Sequence, residues 1–318
     1  MALGGDDTAM STALVTHSAC LYHETPLGHP ECSDRLRAVL HALEDEPFAW
    51  LRRIDAPRAE TWHLVRVHGE GYVRRILAAC PEEGYAHWDA DTVLSPGTAE
   101  AALRAAGAVV AAVDAVMEGE ARNAFCAVRP PGHHAEPEAA MGFCLFNNVV
   151  VGAMHAREAY GLRRIAVIDF DVHHGNGTQA VAAADPGLFF GSTHQGGIYP
   201  GTGLASETGP ADNIVNVPLA AGARGDAFRA AMSGTVLPAL DAFAPDFVLI
   251  SAGFDAHKDD PLANLRLEAS DFAWATAEIA ALARRHCSGR IVSTLEGGYD
   301  LAALAASARA HVLALMEG

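Results

Sequence analysis

The sequence predicts an α/β fold, a three-layer α/β/α domain around a mainly parallel central sheet. Short β-rich runs alternate with long alanine-rich stretches of helical periodicity. One run, Arg164–Phe170, is nearly continuous in apolar residues, as a strand is when helices cover both of its faces. Polar clusters follow the carboxyl ends of the strands, where open α/β sheets place their ligands. At 318 residues the chain is long enough for one large core. Its even composition gives no reason for a second unit, so a single domain over 1–318 is expected.

In chain order, residues 13–16 read as the first strand. A helix follows near Ser33, whose hydroxyl is placed to cap it, because an apolar periodicity runs from there to Leu43. Residues 98–117 form a helix opened by the turn Ser95-Pro96-Gly97-Thr98 and by Glu100. Ala124–Val128 is a strand that ends at Arg129-Pro130-Pro131-Gly132, and 145–160 returns to helix. After Arg164–Phe170, strands are expected at 187–192, 213–217, 246–251 and 290–295, with helices at 225–243, 268–286 and 301–315. There is no repeat, and the Ala-Ala pairs reflect helix propensity. A nucleotide-binding fold is the architectural rival, but neither GxGxxG after the first strand nor GxxxxGK[ST] is present.

Acidic residues number 39 against 22 basic ones, a formal charge of −17. That balance is a poor footprint for phosphate backbones, so direct nucleic-acid binding is not expected. It suits a cationic substrate, and equally it simply keeps a protein dispersed. Cys20, Cys32, Cys80, Cys126, Cys144 and Cys287 form no CxxC pair, and several sit in apolar runs, which reads as reduced core packing. Residues 1–10 lack a basic stretch leading into an apolar one, and no apolar run approaches the ~20 residues of a membrane span. A reducing cytoplasm and no membrane are the expectation.

The segment Asp169-Phe170-Asp171-Val172-His173-His174-Gly175-Asn176-Gly177-Thr178 begins where a buried strand ends. Carboxylates there are costly unless they meet metal, donors or water. In extended chain Asp171 and His173 project to one side, so an oxygen and an imidazole can grip one divalent ion. A third ligand is expected from Ser251-Ala252-Gly253-Phe254-Asp255-Ala256-His257, with Asp255 preferred because Asp-His-Asp leaves a position for water. Zinc accepts such a set, and iron(II) is the alternative. The plainer reading makes Asp169 and Asp171 helix caps and His173 a buried hydrogen-bonding group. His174 and His257 stay outside the catalytic set.

His133 and His134 are adjacent on the turn that follows the Ala124–Val128 strand. Paired imidazoles serve water activation and leaving-group protonation when each tautomer is fixed by a partner. Asp169 is the candidate partner of His133, and Asn176 that of His134. In Leu295-Glu296-Gly297-Gly298-Tyr299-Asp300 the glycines permit a close turn that sets the Tyr299 hydroxyl beside a polarised carbonyl, or else Tyr299 merely covers the sheet edge.

With these motifs the sequence resembles the zinc-dependent histone deacetylase superfamily, on its class II-like branch together with the acetylpolyamine amidohydrolases. The markers are His29-Pro30-Glu31 with Arg35, Arg129-Pro130-Pro131-Gly132-His133-His134, Gly142-Phe143-Cys144-Leu145-Phe146-Asn147-Asn148, the 169–178 segment, Tyr199-Pro200-Gly201-Thr202-Gly203, and the segments ending at His257 and Asp300; together they span about 14–310. The resemblance implies an arginase/deacetylase-like fold. It implies Asp171, His173 and Asp255 as zinc ligands, His134 as chief general base and acid with His133 as its electrostatic companion, and Tyr299 as the carbonyl-polarising group. It also implies Phe143 and Tyr199 as tunnel walls, Asp91 or Asp89 as a rim carboxylate, and a structural potassium ion near Asp169, Asp171, His173, Ser192 and Thr193.

Two departures stand out. Cys32 replaces a common proline, and Leu262 stands where a polyamine deacetylase can carry an acidic gate, which favours acyl-lysine over charged polyamine chains. The expected activity is therefore zinc-dependent hydrolysis of N-acyl amides, with acetyl-lysine or an N-acetylated polyamine as substrate. A two-metal ureohydrolase and a catalytically weak acyl-lysine reader are the rivals. A homo-oligomer is compatible with the chain.

Overall fold

The computed structural model describes residues 11–318, so the absence of a leader read from residues 1–10 lies outside them. Its strands and helices, in chain order, are β1 (Ala13–Thr16), α1 (Ser33–Ala42), β2 (Arg52–Asp55), α2 (Thr61–Leu64), α3 (Glu70–Ala78), β3 (Ala86–His87), β4 (Val93–Leu94), α4 (Thr98–Met117), β5 (Asn123–Cys126), α5 (Asn148–Tyr160), β6 (Ile165–Asp169), α6 (Asn176–Ala182), β7 (Leu188–Gln195), β8 (Ile214–Leu219), α7 (Gly225–Ala231), α8 (Leu237–Phe243), β9 (Phe247–Ala252), α9 (Ala269–Cys287), β10 (Ile291–Leu295) and α10 (Leu301–Glu317). Eight strands form one sheet in the order β2-β1-β5-β10-β9-β6-β7-β8, every pair parallel. β3 and β4 form a separate antiparallel pair.

The apolar runs explain this arrangement. β6 (IAVID) and β9 (FVLISA) are buried at every position, as strands sandwiched between helix layers must be. α4 and α5 pack together over β1, β5, β9 and β10, while α9 and α10 pack together against β9 and β5 with α1 alongside. Parallel strands all point the same way, so the loops leaving β5, β6, β9 and β10 gather at one end of adjacent central strands. Candidate ligand and catalytic residues from four distant segments meet there.

Several expected boundaries shift for local reasons. Ser33 is the first residue of α1 rather than its cap. Cys32 holds the extended cap position without a side-chain bond, and the Ser33 hydroxyl accepts from Arg37 Nη1. The helix expected from 145 starts at Asn148, because Asn147 Oδ1 accepts from Val150 N at 3.2 Å and so caps α5. The 225–243 helix is continuous but passes through a π-helical turn at Met232–Val236. All six cysteines are free. No helix among the described residues is long and apolar enough to cross a membrane.

Candidate active site

β6 ends at Asp169, and the next four residues leave the sheet as a tight run of side-chain and main-chain bonds. Asp169 Oδ1 accepts from Asp171 N at 3.0 Å, and Asp171 Oδ1 accepts from His173 N at 2.9 Å. Neither carboxylate caps a helix: α6 begins after Gly175. After β9, Asp255 swings back so that its Oδ1 accepts from Val172 N at 2.8 Å. His173 Nδ1 then lies 3.2 Å from Asp171 Oδ1 and 3.1 Å from Asp255 Oδ2. Donor atoms of Asp171, His173 and Asp255 all fall within 4.8 Å of one another, and all three residues are buried.

The electrostatics of this trio favour a cation among its donors. Burial, and then the charge of Asp171, push Asp255 up to about 7. Burial works against a charged His173, but bonds to Asp171 and Asp255 outweigh it and raise the imidazole to about 10. Two buried carboxylates thus share a proton-holding imidazole, and a dication satisfies the same donors without that repulsion. Two hard oxygens and one nitrogen fit a catalytic metal site.

The loop after β5 carries His133 and His134 with ring centroids 4.0 Å apart. Each has the expected partner: His133 Nδ1 is 2.9 Å from Asp169 Oδ2, and His134 Nδ1 is 2.8 Å from Asn176 Oδ1. The partners differ in charge and so do the rings. Burial disfavours a charged His133, but Asp171 and Asp169 overcome it and raise its pKa well above the ordinary histidine value. His134 is driven well below that value by burial and then by the charges of His133 and His173. The two rings are biased in opposite directions, His133 toward its charged form and His134 toward its neutral one.

Glu296, which carried no role in the sequence reading, organises this loop. Its Oε2 accepts from Gly132 N at 2.7 Å and His133 N at 3.2 Å, and Oε1 accepts from Ser251 Oγ at 3.2 Å. Burial raises its carboxyl to about 7. Three residues on, Tyr299 N donates to Asp260 Oδ2 at 2.7 Å, and the Arg35 guanidinium covers the Tyr299 ring at 4.7 Å.

A cavity of about 360 Å³ opens from the surface onto this centre, lined by His29, Pro30, Ala90, Asp91, His134, Gly142, Phe143, His173, Tyr199, Leu262 and Tyr299. Phe143 meets Tyr299 edge-on at 5.9 Å, and Tyr199 meets His134 edge-on at 5.2 Å. At the mouth Asp91 and Leu262 are exposed. Asp89 is not among the lining residues. Its Oδ1 instead accepts from Asp91 N and Thr92 N, which fixes the turn that presents Asp91. His174 packs under the loop as expected, 2.8 Å from both Thr202 Oγ1 and Gln179 Oε1. His257 Nδ1 accepts from Asp259 N at 3.2 Å, away from the trio. Sequence reading missed His29 as a wall and Glu136 behind Asn176; the second lies only two residues past His134.

Comparison with known proteins agrees with this geometry. The histone deacetylase domain family matches residues 29–315. The chain is 39% identical over 319 residues to histone deacetylase 14, chloroplastic, of Arabidopsis thaliana, covering 94% of this chain and 75% of that one. It is 40% identical over 279 residues to the histone deacetylase-like amidohydrolase of Pseudomonas aeruginosa, covering 86% and 73%. The crystal structure of the HDA15 HD domain superposes with a TM-score of 0.92 at 36% identity, over 97% of this chain and 88% of that one. With its Asp-His-Asp candidate metal site at the carboxyl ends of an eight-stranded parallel sheet, the chain belongs to the histone deacetylase domain family, on its class II-like branch, and is an amidohydrolase.

Proposed function

We propose that the protein hydrolyses the N-acyl amide of acylated lysine side chains, with zinc held by Asp171, His173 and Asp255, as one catalytic unit over about residues 14–310. The observation that carries this reading is the cavity whose walls are Phe143 and Tyr199 and whose floor is His134, His173 and Tyr299. Two aromatic walls suit an extended aliphatic chain, and a floor of base, ligand and phenol suits the amide at its end.

Zinc would supply the Lewis acidity that polarises the amide carbonyl and acidifies water. The remaining work falls to the chain's own groups. His134, neutral through burial, accepts a proton from the attacking water at Nε2, since Nδ1 is committed to Asn176. His133, paired with Asp169, is the electrostatic member of the pair and stabilises the negative charge that develops as the carbon becomes tetrahedral. Burial keeps the Tyr299 phenol protonated, so its hydroxyl serves as a donor to the carbonyl oxygen. The C–N bond then breaks, the amine leaves with a proton from the histidine pair, and the acyl group departs as carboxylate. Asp91 at the rim would hold main-chain or amine donors of the substrate.

Leu262 beside the mouth supports a peptide over a polyamine, whose cationic chain would gain from a second carboxylate there. The donor set also admits iron(II). The parallel pairing of Asp169 with Ser192 between β6 and β7 supports a potassium ion against the 169–173 segment, with Ser192 and the main chain of Thr193 beside it. Six free cysteines support a reducing compartment such as the cytoplasm; the name of the Arabidopsis relative puts that protein in the chloroplast.

Zinc-loaded turnover on matched acetyl-lysine peptides, longer acyl-lysine peptides and N-acetylated polyamines tests the reading. Peptides are expected to turn over best, with losses of about 10²–10³-fold in Tyr299→Phe and about 10²–10⁴-fold in His134→Ala. Preference for the polyamines would reassign the substrate, and metal binding without turnover of any amide would refute the reading.

A further inference from the structure

The Asn176 amide stands between two groups. Its Oδ1 faces His134 Nδ1 at 2.8 Å and its Nδ2 faces Glu136 Oε1 at 2.8 Å. The other neighbours of Nδ2 are the His134 carbonyl at 3.4 Å and Met141 Sδ at 3.3 Å. All three are acceptors, so the amide has one orientation, NH₂ toward Glu136 and oxygen toward His134. His134 Nδ1 must then carry a proton, and the neutral ring keeps its lone pair on Nε2.

Glu136 is itself stationed by its main chain. Its N–H donates to Ala139 O at 2.9 Å, and its carbonyl accepts from His68 Nδ1 at 3.0 Å. His68 Nε2 accepts in turn from Asn147 N at 2.9 Å, the residue that caps α5. The carboxylate behind Asn176 is thus tied to the start of a helix.

We propose that Glu136 is a positioning residue for proton transfer, which fixes and polarises the Asn176 amide so that part of a carboxylate's charge reaches His134. The inference rests on the reading of His134 as the base. A carboxylate directly on Nδ1, the arrangement at His133, lends a ring its full negative charge; an amide alone does little for the imidazolium that forms in the reaction. An amide backed by a carboxylate is intermediate, because successive hydrogen bonds polarise one another. The ring stays available as a base and is stabilised once it has taken the proton.

The test exchanges charge between two positions in the zinc-loaded full chain, with an acetyl-lysine peptide as substrate. Glu136→Gln keeps an acceptor and removes the charge; kcat is expected to fall roughly tenfold with KM within about twofold. Asn176→Asp alone sets two carboxylates against each other and should lose at least as much. The double variant puts the carboxylate on His134 with an amide donor behind it that draws off part of its charge, and kcat should return to within about threefold of the unmodified enzyme. Additive losses in the double variant, or an unchanged kcat in Glu136→Gln, overturn the proposal. The His134 Nδ1 proton resonance gives a readout that needs no turnover: it should move upfield in Glu136→Gln. If no amide is hydrolysed but this resonance moves, the reaction assigned above fails while the relay stands. An unmoved resonance overturns the relay whatever the turnover.

Discussion

Glu31, Arg35 and Arg129 have no solvent exposure, and together they form an ionic node beneath the active-site loops. Arg129 grips both Glu31 oxygens, through Nε and through Nη2 at 2.6 Å, and Arg35 Nη1 adds a bond at 3.0 Å. Burial pushes the Glu31 carboxyl up, but Arg129 and His23 outweigh it and hold the carboxyl well below its usual range. Arg35 spends its other donors on the carbonyls of Gly298 and Glu296, both at 2.5 Å, in the turn before Tyr299. Glu31→Gln would leave two buried guanidiniums without a counter-charge, so unfolding of the zinc-loaded protein in urea should show a loss of about 3–5 kcal/mol. A loss below about 1 kcal/mol, the scale of an exposed pair, would show that the node is not functioning as a buried one. The sequence marked these residues as part of a pattern but not as interior, since charged side chains are rarely fully buried and spacing does not reveal partners more than 90 residues away.

At the scale of elements, the junctions after β9 and β10 are built so that carboxylates can crowd together. A Cβ on Gly297 would lie 2.1 Å from Asp255 Oδ2 and 2.6 Å from Asp171 Oδ2; one on Gly253 would lie 1.9 Å from Asp171 Oδ2. Gly297 N also donates to Asp171 Oδ2 at 2.8 Å. Gly297→Ala should therefore spread the ligand trio and weaken zinc by about 10–100-fold in a chelator competition, with circular dichroism unchanged. Zinc affinity equal to that of the unmodified protein would show that the junction yields. Long alanine-rich runs of high helix propensity made α4 and α10 legible from sequence, and continuous apolar runs did so for β6 and β9. β2 (RRID), largely exposed at the sheet edge, has no apolar pattern to read. α6 was implied only as the helix that Asp169 or Asp171 would cap, without bounds, because its Asn-Gly-Thr start reads as loop chemistry. The metal trio and the histidine pair were visible because each follows a recognisable strand end. Glu296 and Glu136 were not, because their work is done through contacts that no local pattern encodes.

For the whole molecule, buried ionisable groups set opposing slopes of stability with pH. His68 and His174 are lowered to about 4 and His311 to about 3, in each case chiefly by burial. Unfolding lets such rings take up protons below their unfolded value of about 6.5, so stability rises with pH up to there. Asp255 and Glu296, raised to about 7, act the other way between about 4 and 7, as do the raised Asp169 and Asp260, but the lowered histidines, which also include His23, His63, His134, His194 and His257, outnumber them. Above about 6.5 the balance passes to His173, raised to about 10, and to His133, raised well above the ordinary value. Their folded-state protons are a stabilising contribution fully present below the unfolded value and lost as pH climbs through the folded one. Chelator-treated protein should therefore be most stable near pH ~6.5 and decline on the alkaline side. Zinc at the proposed site would take the place of the His173 proton, and its binding would strengthen as its ligands deprotonate. The gap in Tm between zinc-loaded and chelator-treated samples should accordingly widen from about pH 6.5 to about pH 8.5, read by calorimetry at fixed ionic strength. A gap that stays constant or narrows would mean that the buried trio does not exchange a proton for the metal, and the assignment of His173 as a ligand would fall with it.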